Sequence, residues 1–370
     1  MKKETFTITF ETITPLFTGN ASGEMTKIEP SSIMGSLRFW VELFCYFSGI
    51  EGNMDSLNDS LDYKKFRNAL KNSNIKEESS FETINEILAD DNISIPSRIF
   101  GCTGWKSLVE ISEIEPCNTF CFGNYFGLNR IYLKGSRWFF PKNYFFGEFK
   151  VKIKTVSILK KTVILPLLAF IEKYGFLGAK NNLGFGRVEI KKIVEKVENK
   201  KKKVNHNNFT QFNLRILKRK EYRYKIDSII QEDSSMDESS KSFEFLKKIF
   251  NCDKFYCHNE RDFKEKNKLG KIDKCILKFE LFAMEEYNFE NCIKRLLSIK
   301  SKIRKCLKPQ NNIKKKKQWY NLQYKIFGNR GKHATKIIPF ITRIRENDEE
   351  KYECALISIA GILNGGYNDK

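Results

Sequence analysis

The chain reads as an α+β protein built from two ferredoxin-like (RRM-like) βαββαβ domains, the second with helical insertions. Three observations point to that class. In the first half, hydrophobic spacing switches between periods of two and 3.6 residues in the order strand, helix, strands, helix, strand. A charged stretch, ENKKKKVNHNN (198–208), then interrupts the pattern as a linker. Beyond it the sequence returns to strands, a long amphipathic helix and a closing pair of strands, a looser version of the first half with no visible sequence repeat. The expected domains are therefore residues 1–197 and 209–370, joined by 198–208. At 370 residues the chain is long enough for about two domains, and its 41% hydrophobic and 14% aromatic content makes a real core available.

The elements follow in order. TFTITFETIT (5–14) alternates Phe6, Ile8 and Phe10 with threonines, the signature of a strand with one buried face. A loop through Pro15 leads to a helix whose Ile33, Leu37, Trp40, Phe44 and Phe47 make one apolar stripe, with Ser31 or Ser32 as its cap. Residues 49–94 are polar, with a short helix expected at 81–89. IPSRIFGCTGW (95–105) reads as a loop and KSLVEISEI (106–114) as a strand. A segment rich in Phe and Tyr holds further strands up to residue 158. KTVILPLLAFIEKYG (161–175) is the second helix, ended by Gly175, and RVEIKKIVEKV (187–197) is the last strand of this half. In the second half, strands are expected at 209–219, 274–283, 335–345 and 351–361. A polar helical insertion covers 225–270, and a helix covers 289–307 with Ile293, Leu296, Leu297 and Ile303 inward.

Charge narrows the partner. The formal net charge is +21, and the excess is local. Residues 191–225 carry 13 Lys and Arg against 3 Glu, and residues 294–336 carry 15 Lys and Arg with no acid. Two basic surfaces on an otherwise balanced body argue for a polyanion. The ten cysteines include no CxxC pair, so they read as reduced thiols in a cytoplasmic protein. The opening MKKETFTITFETITPLF lacks an apolar leader core, and TVILPLLAFI (162–171) is too short to span a bilayer, so no membrane partner is expected.

Three motifs are candidates for phosphate contact. The first, TPLFTGNASGEMTKIEPSSIMGSLRFW, places Lys27, Ser31, Ser32, Gly35 and Arg38 around a helix start, with a trailing Trp or Phe available to stack a base. The second, GFLGAKNNLGFGRV (175–188), offers Gly178, Lys180, Asn181, Asn182, Gly184 and Arg187 on a glycine-rich loop that lets a backbone approach phosphate. The third, FGNRGKHATKIIPF (327–340), crowds Arg330, Lys332, His333 and Lys336 ahead of a strand. Each motif also has a plain structural explanation as a capped helix, a connector or a solvated loop. Catalytic and metal chemistry find little support. Cys252, Cys257 and His258 lack the second half of a zinc site, and none of the three histidines stands by a nucleophile. No catalytic residue, metal or cofactor is expected.

Taken together, these motifs and SRIFG (97–101) resemble the RAMP superfamily of CRISPR-associated proteins, most of all the Cmr-type subunit at the guide 3′ end of type III-B effector complexes. The resemblance covers most of residues 5–48, 95–114, 161–197 and 327–360. It implies two ferredoxin-like domains, binding to guide RNA or target single-stranded RNA, assembly with other Cmr subunits and a role in antiviral defence without target cleavage by this chain. Arg38, on that reading, faces RNA beside the glycine-rich loop. Two other functions stay open. One is a metal-independent endoribonuclease that processes CRISPR transcripts, for which a histidine in the first domain is missing. The other is a basic scaffold with no specific RNA.

Overall fold

The computed structural model describes residues 3–20, 22–47, 58–73, 80–128, 131–133, 136–197, 200–205, 211–213, 223–225, 276–277, 288–306, 337–346 and 349–358. The first half opens with β1 (Lys3–Thr12) and α1 (Pro30–Phe47). Three short helices follow: α2 (Tyr63–Asn72), α3 (Ser80–Asp90) and α4 (Ile95–Phe100). Then come β2 (Glu110–Gly123), a small hairpin of β3 (Ile131–Leu133) and β4 (Ser136–Trp138), and β5 (Tyr144–Val156). A helical run passes from α5 (Ser157–Leu159) through a π-helical turn, Lys160–Ile164, into α6 (Leu165–Tyr174). The half closes with β6 (Val188–Val197) and β7 (Lys200–Val204).

These strands form one sheet in the order β2–β5–β1–β6–β7, antiparallel throughout. Without the added edge strand β7, the order is the one a βαββαβ chain makes. The alternation of β1 sets the sheet's two faces. Phe6, Ile8 and Phe10 are at most 1% exposed, and Phe10 stacks on Phe149 of β5 at 5.3 Å. Thr5, Thr7 and Thr9 face the other way, opposite Lys154, Lys152 and Lys150. The π turn has a local cause. Pro166 has no N–H, and the Leu165 amide donates five residues back to the Lys160 carbonyl.

Several expectations change here. The linker 198–208 is in part strand β7, because Lys200–Val204 pairs with β6 and sets Lys202 opposite Glu195. Residues 95–105 are not all loop: Pro96 in the first turn of α4 suits a helix start, where a missing amide costs nothing. The strand expected from 106 starts at Glu110. Helix α2 falls in a segment expected to be irregular, capped by the Asp62 carboxylate, which accepts from the amides of Lys64 and Lys65. Ser31 and Ser32 lie inside α1, and the Glu29 carbonyl instead accepts the first helical bonds, from the Ser32 and Ile33 amides. Gly175 does end the second helix, in extended rather than left-handed backbone.

The described part of the second half comprises β8 (Gln211–Asn213) paired with β9 (Arg223–Lys225), β10 (Ile276–Leu277), α7 (Phe289–Cys306), β11 (Ile337–Glu346) and β12 (Glu349–Ser358). The last three strands form a sheet in the order β10–β12–β11. The insertion at 225–270, with Cys252, Cys257 and His258, lies outside the described residues. One apolar core runs through both halves, from Phe6, Phe149 and Phe170 to Phe289, Leu296, Ile338 and Leu356. Helix α7 and β11 close over the first half's glycine-rich loop, where Gly184 meets Ile293 and Pro339.

Candidate nucleic-acid interface

The first two phosphate-contact motifs meet in space. From the end of β1, residues 13–17 run alongside the glycine-rich loop 175–187. The Ile13 and Thr14 amides donate to the Arg187 carbonyl at 2.9 and 3.3 Å, and the Gly186 amide donates to the Pro15 carbonyl at 2.8 Å. The Ala179 amide donates to the Phe17 carbonyl at 2.8 Å. Helix α1 joins them. The Gly178 amide donates to Ser36 Oγ at 2.8 Å, and Trp40 Nε1 donates to the Phe176 carbonyl at 3.1 Å. The Thr18 hydroxyl ties the loop ahead of α1 to the same place, donating to the Lys27 carbonyl and accepting from the Glu29 amide.

This knitting explains two glycines. Gly178 has φ +72°, and a Cβ there would stand 2.6 Å from the Phe17 carbonyl oxygen. Gly186 has φ +92°, and its Cβ would meet the Leu177 carbonyl oxygen at 2.1 Å. Both serve the close approach of one protein backbone to another. Gly184 packs inward too, against Ile293 of α7 and Pro339 of β11. The loop expected to lie open to phosphate is therefore largely an interior joint.

The two arginines are turned inward as well. Arg187, 2% exposed, caps α6: its Nη1 donates to the carbonyls of Gly175 (2.7 Å) and Ile171 (3.2 Å), and its Nη2 to those of Glu172 (2.9 Å) and Lys173 (3.3 Å). Its guanidinium lies 4.1 Å from the Phe340 ring centre, so it also fastens β11 to the first half. Burial pulls its pKa down to about 9, with Glu172 opposing. Arg38 was expected to face RNA. Its donors reach Glu42 Oε1 (3.1 Å), the Gly101 carbonyl (2.7 Å) and Ser97 Oγ (3.0 Å). Ser97 and Gly101 are the first and last residues of SRIFG, so Arg38 holds that motif to α1. Two positions along a helix is about 200° of turn, which is why Ser36 meets the glycine-rich loop and Arg38 does not. Trp40 is 1% exposed and unavailable for stacking a base.

What remains outside is a rim around this junction. Lys27 has its side chain 69% exposed, with Glu29 Oε2 at 3.7 Å. Ser31 and Gly35 are exposed one turn apart on α1, whose first turn carries no acid. Lys180 is exposed at φ +64°, its Nζ 5.7 Å over the Phe17 ring. Ser32, Asn181 and Asn182 are half-buried, and the Asn182 carbonyl accepts from Lys300 Nζ at 2.7 Å. Arg330, Lys332, His333 and Lys336 lie outside the described residues. Among those described, no three His, Cys, Asp or Glu side chains group to hold a metal, and no helix is long and apolar enough to cross a membrane.

The sequence segments that meet here are those a family model recognises: the RAMP superfamily model matches residues 9–189, from the middle of β1 into β6. No curated protein matches the chain. Among solved structures, the chain is similar to the apo crystal structure of Cmr1 from Pyrococcus furiosus. That match is 13% identical, covers 96% of this chain and 88% of that one, and has a TM-score of 0.34.

A second feature has no counterpart among the sequence motifs. Glu11, at the end of β1, accepts from Arg343 (2.8 Å) and Arg345 (2.9 Å) of β11 and pairs with Lys191 (3.1 Å), while Arg343 also donates to Glu189 (3.0 Å). Burial alone pushes the Glu11 carboxyl up, but hydrogen bonds from Arg343, Lys191 and Arg345 outweigh it and hold the pKa at about 2. This cluster clips β11 to the sheet of the first half. In sequence, Glu11 is one more polar residue on the open face of a strand.

Proposed function

We infer that this chain is an RNA-binding subunit of a Cmr-type, type III-B CRISPR effector ribonucleoprotein, acting in antiviral defence in the cytoplasm. It binds guide RNA or target single-stranded RNA near the guide 3′ end and docks on other Cmr subunits. It holds RNA and does not cut it. A second, degenerate ferredoxin-like domain in residues 209–370 belongs to this reading. The observation that carries it is the convergence, within the residues that the RAMP superfamily model matches, of the β1–α1 loop, the start of α1 and the glycine-rich loop. That junction leaves the cations Lys27 and Lys180 outside, beside the exposed Ser31–Gly35 turn.

The test is binding of guide-length single-stranded RNA by the purified full chain across a salt series. Wild type should show a steep linear fall of log affinity with log salt. Lys27→Glu with Lys180→Glu should lower affinity and reduce the slope by about 1 to 2, as expected for two lost phosphate contacts. A flat wild-type response would sink the reading. So would RNA cleavage by the homogeneous protein that a point substitution in this chain abolishes.

A further inference from the structure

The excursion between β2 and β5 has an unusual composition. Residues 124–147, NYFGLNRIYLKGSRWFFPKNYFFG, hold nine aromatic residues, four Lys and Arg, and no acid. Most of the rings have structural work. Tyr144 and Phe145 are fully buried, and Tyr125, although 62% exposed, lies flat on Phe146 at 5.3 Å. The β3–β4 hairpin divides its side chains by face. Ile131 pairs with Trp138, and Tyr132 pairs with Arg137. The Trp138 side is anchored: the ring is 4% exposed, its Nε1 donates to Ser301 Oγ at 2.9 Å, and Lys300 Nζ lies 5.5 Å over it. The Tyr132 side points to solvent. Tyr132 is 63% exposed with the Arg137 guanidinium 5.7 Å from its ring centre, and Phe139, next along the chain, is 54% exposed.

Large exposed rings need a reason when the hairpin under them is already fastened to α7. We propose that the outward face of the β3–β4 hairpin, Tyr132 with Arg137 and Phe139, is a base-stacking platform for single-stranded RNA. A tyrosine ring and a guanidinium plane both stack on bases, and an excursion with cations and no acid tolerates the phosphates on either side. The strand must be single, because bases within a duplex hide their faces. Four Lys and Arg with no acid across residues 124–147 favour a polyanion over a protein surface of mixed charge. This inference rests on the RNA-binding reading above but assigns a different contact: bases here, phosphates at the Lys27–Lys180 rim.

The experiment compares two ligands of equal length, oligouridylate and an abasic ribose-phosphate oligomer, binding the full chain across a salt series. Tyr132→Ala should weaken oligouridylate binding about 5- to 150-fold, the range for losing one stacked base, with the salt slope unchanged. Tyr132→Phe should restore binding to within about twofold, since a phenyl ring also stacks. The abasic oligomer should bind wild type and Tyr132→Ala equally. Because Tyr132 is exposed, the thermal midpoint should not move. If wild type binds oligouridylate and Tyr132→Ala matches it, the platform is wrong and the RNA-binding reading stands. If Tyr132→Ala weakens both ligands alike, the residue acts on the phosphates or on folding and the platform is wrong. If wild type binds neither ligand, both readings fall. Loss of co-assembly with another protein, with RNA binding intact, would give the face to a protein partner and overturn the proposal.

Discussion

Arg38 and Lys180 carry the same charge and stand in motifs that touch each other, yet their side chains do opposite things. Arg38 is spent on Glu42, Ser97 and Gly101, with its side chain 15% exposed. Lys180 stands in solvent at the rim of the glycine-rich loop. The same division separates Arg187 and Arg343, held inside, from Lys27, held out. Among the described residues of the first two motifs, Arg38 and Arg187 hold the fold together, whereas Lys27 and Lys180 stay at the surface. An arginine fork can satisfy several carbonyls at once, which suits buried helix ends and turns. A lysine is a single, strongly hydrated point charge.

The sharpest way to break that comparison is Arg187→Met. It keeps most of the volume but strips donors from four carbonyls at the end of α6. Stability should fall by about 3 kcal/mol in urea denaturation, and Arg187→Lys should recover less than half, since one ammonium cannot serve the same fork. RNA affinity measured on the folded fraction should stay near wild type. A stable Arg187→Met that loses RNA affinity would place this arginine on the ligand instead.

Acid probes the Arg343 cluster next. Glu11 titrates at about 2 in the folded chain, below the ordinary 4.5, so its contribution is fully present above about pH 4.5 and fades as pH drops toward 2. Up to about 3 kcal/mol should be lost across that window. Glu11→Gln should be less stable at pH 7 and show a shallower loss between pH 4.5 and 2. Parallel pH curves for the two proteins would show that the clip contributes nothing. The smallest effect belongs to Arg38→Ala. About 2 kcal/mol of stability should go with the bonds to Ser97 and Gly101. The salt slope of RNA binding should not change, whereas a phosphate contact would lower it by about 1.

The long periodic elements are legible in the residue order. The alternation of Phe6, Ile8 and Phe10, the stripe from Ile33 to Phe44 and the inward row Ile293, Leu296 and Leu297 each announce their element, and all three rows are buried. The nearness of the α1 start to the glycine-rich loop also follows from element order, because β6 neighbours β1 in a βαββαβ sheet. Less regular pieces are not legible. The four lysines of β7 look like a linker because their own pattern has no apolar face, and only the free edge of β6 gives their amides and carbonyls partners. Helix α4 is six residues long, too short for any periodicity to show.

By itself, then, the sequence determined the order and type of the long elements, the motifs that resemble the RAMP superfamily and the surplus of positive charge. It did so because burying an apolar face imposes a spacing that any reader of the chain can count. Only the tertiary structure decided which cations face inward. Beyond Glu42, four positions on, Arg38 finds its other acceptors 59 and 63 residues away, and Arg343 finds Glu11 at a separation of 332. Whether a cation is a strut or a ligand contact depends on which oxygens the fold brings to it, and no local spacing records those.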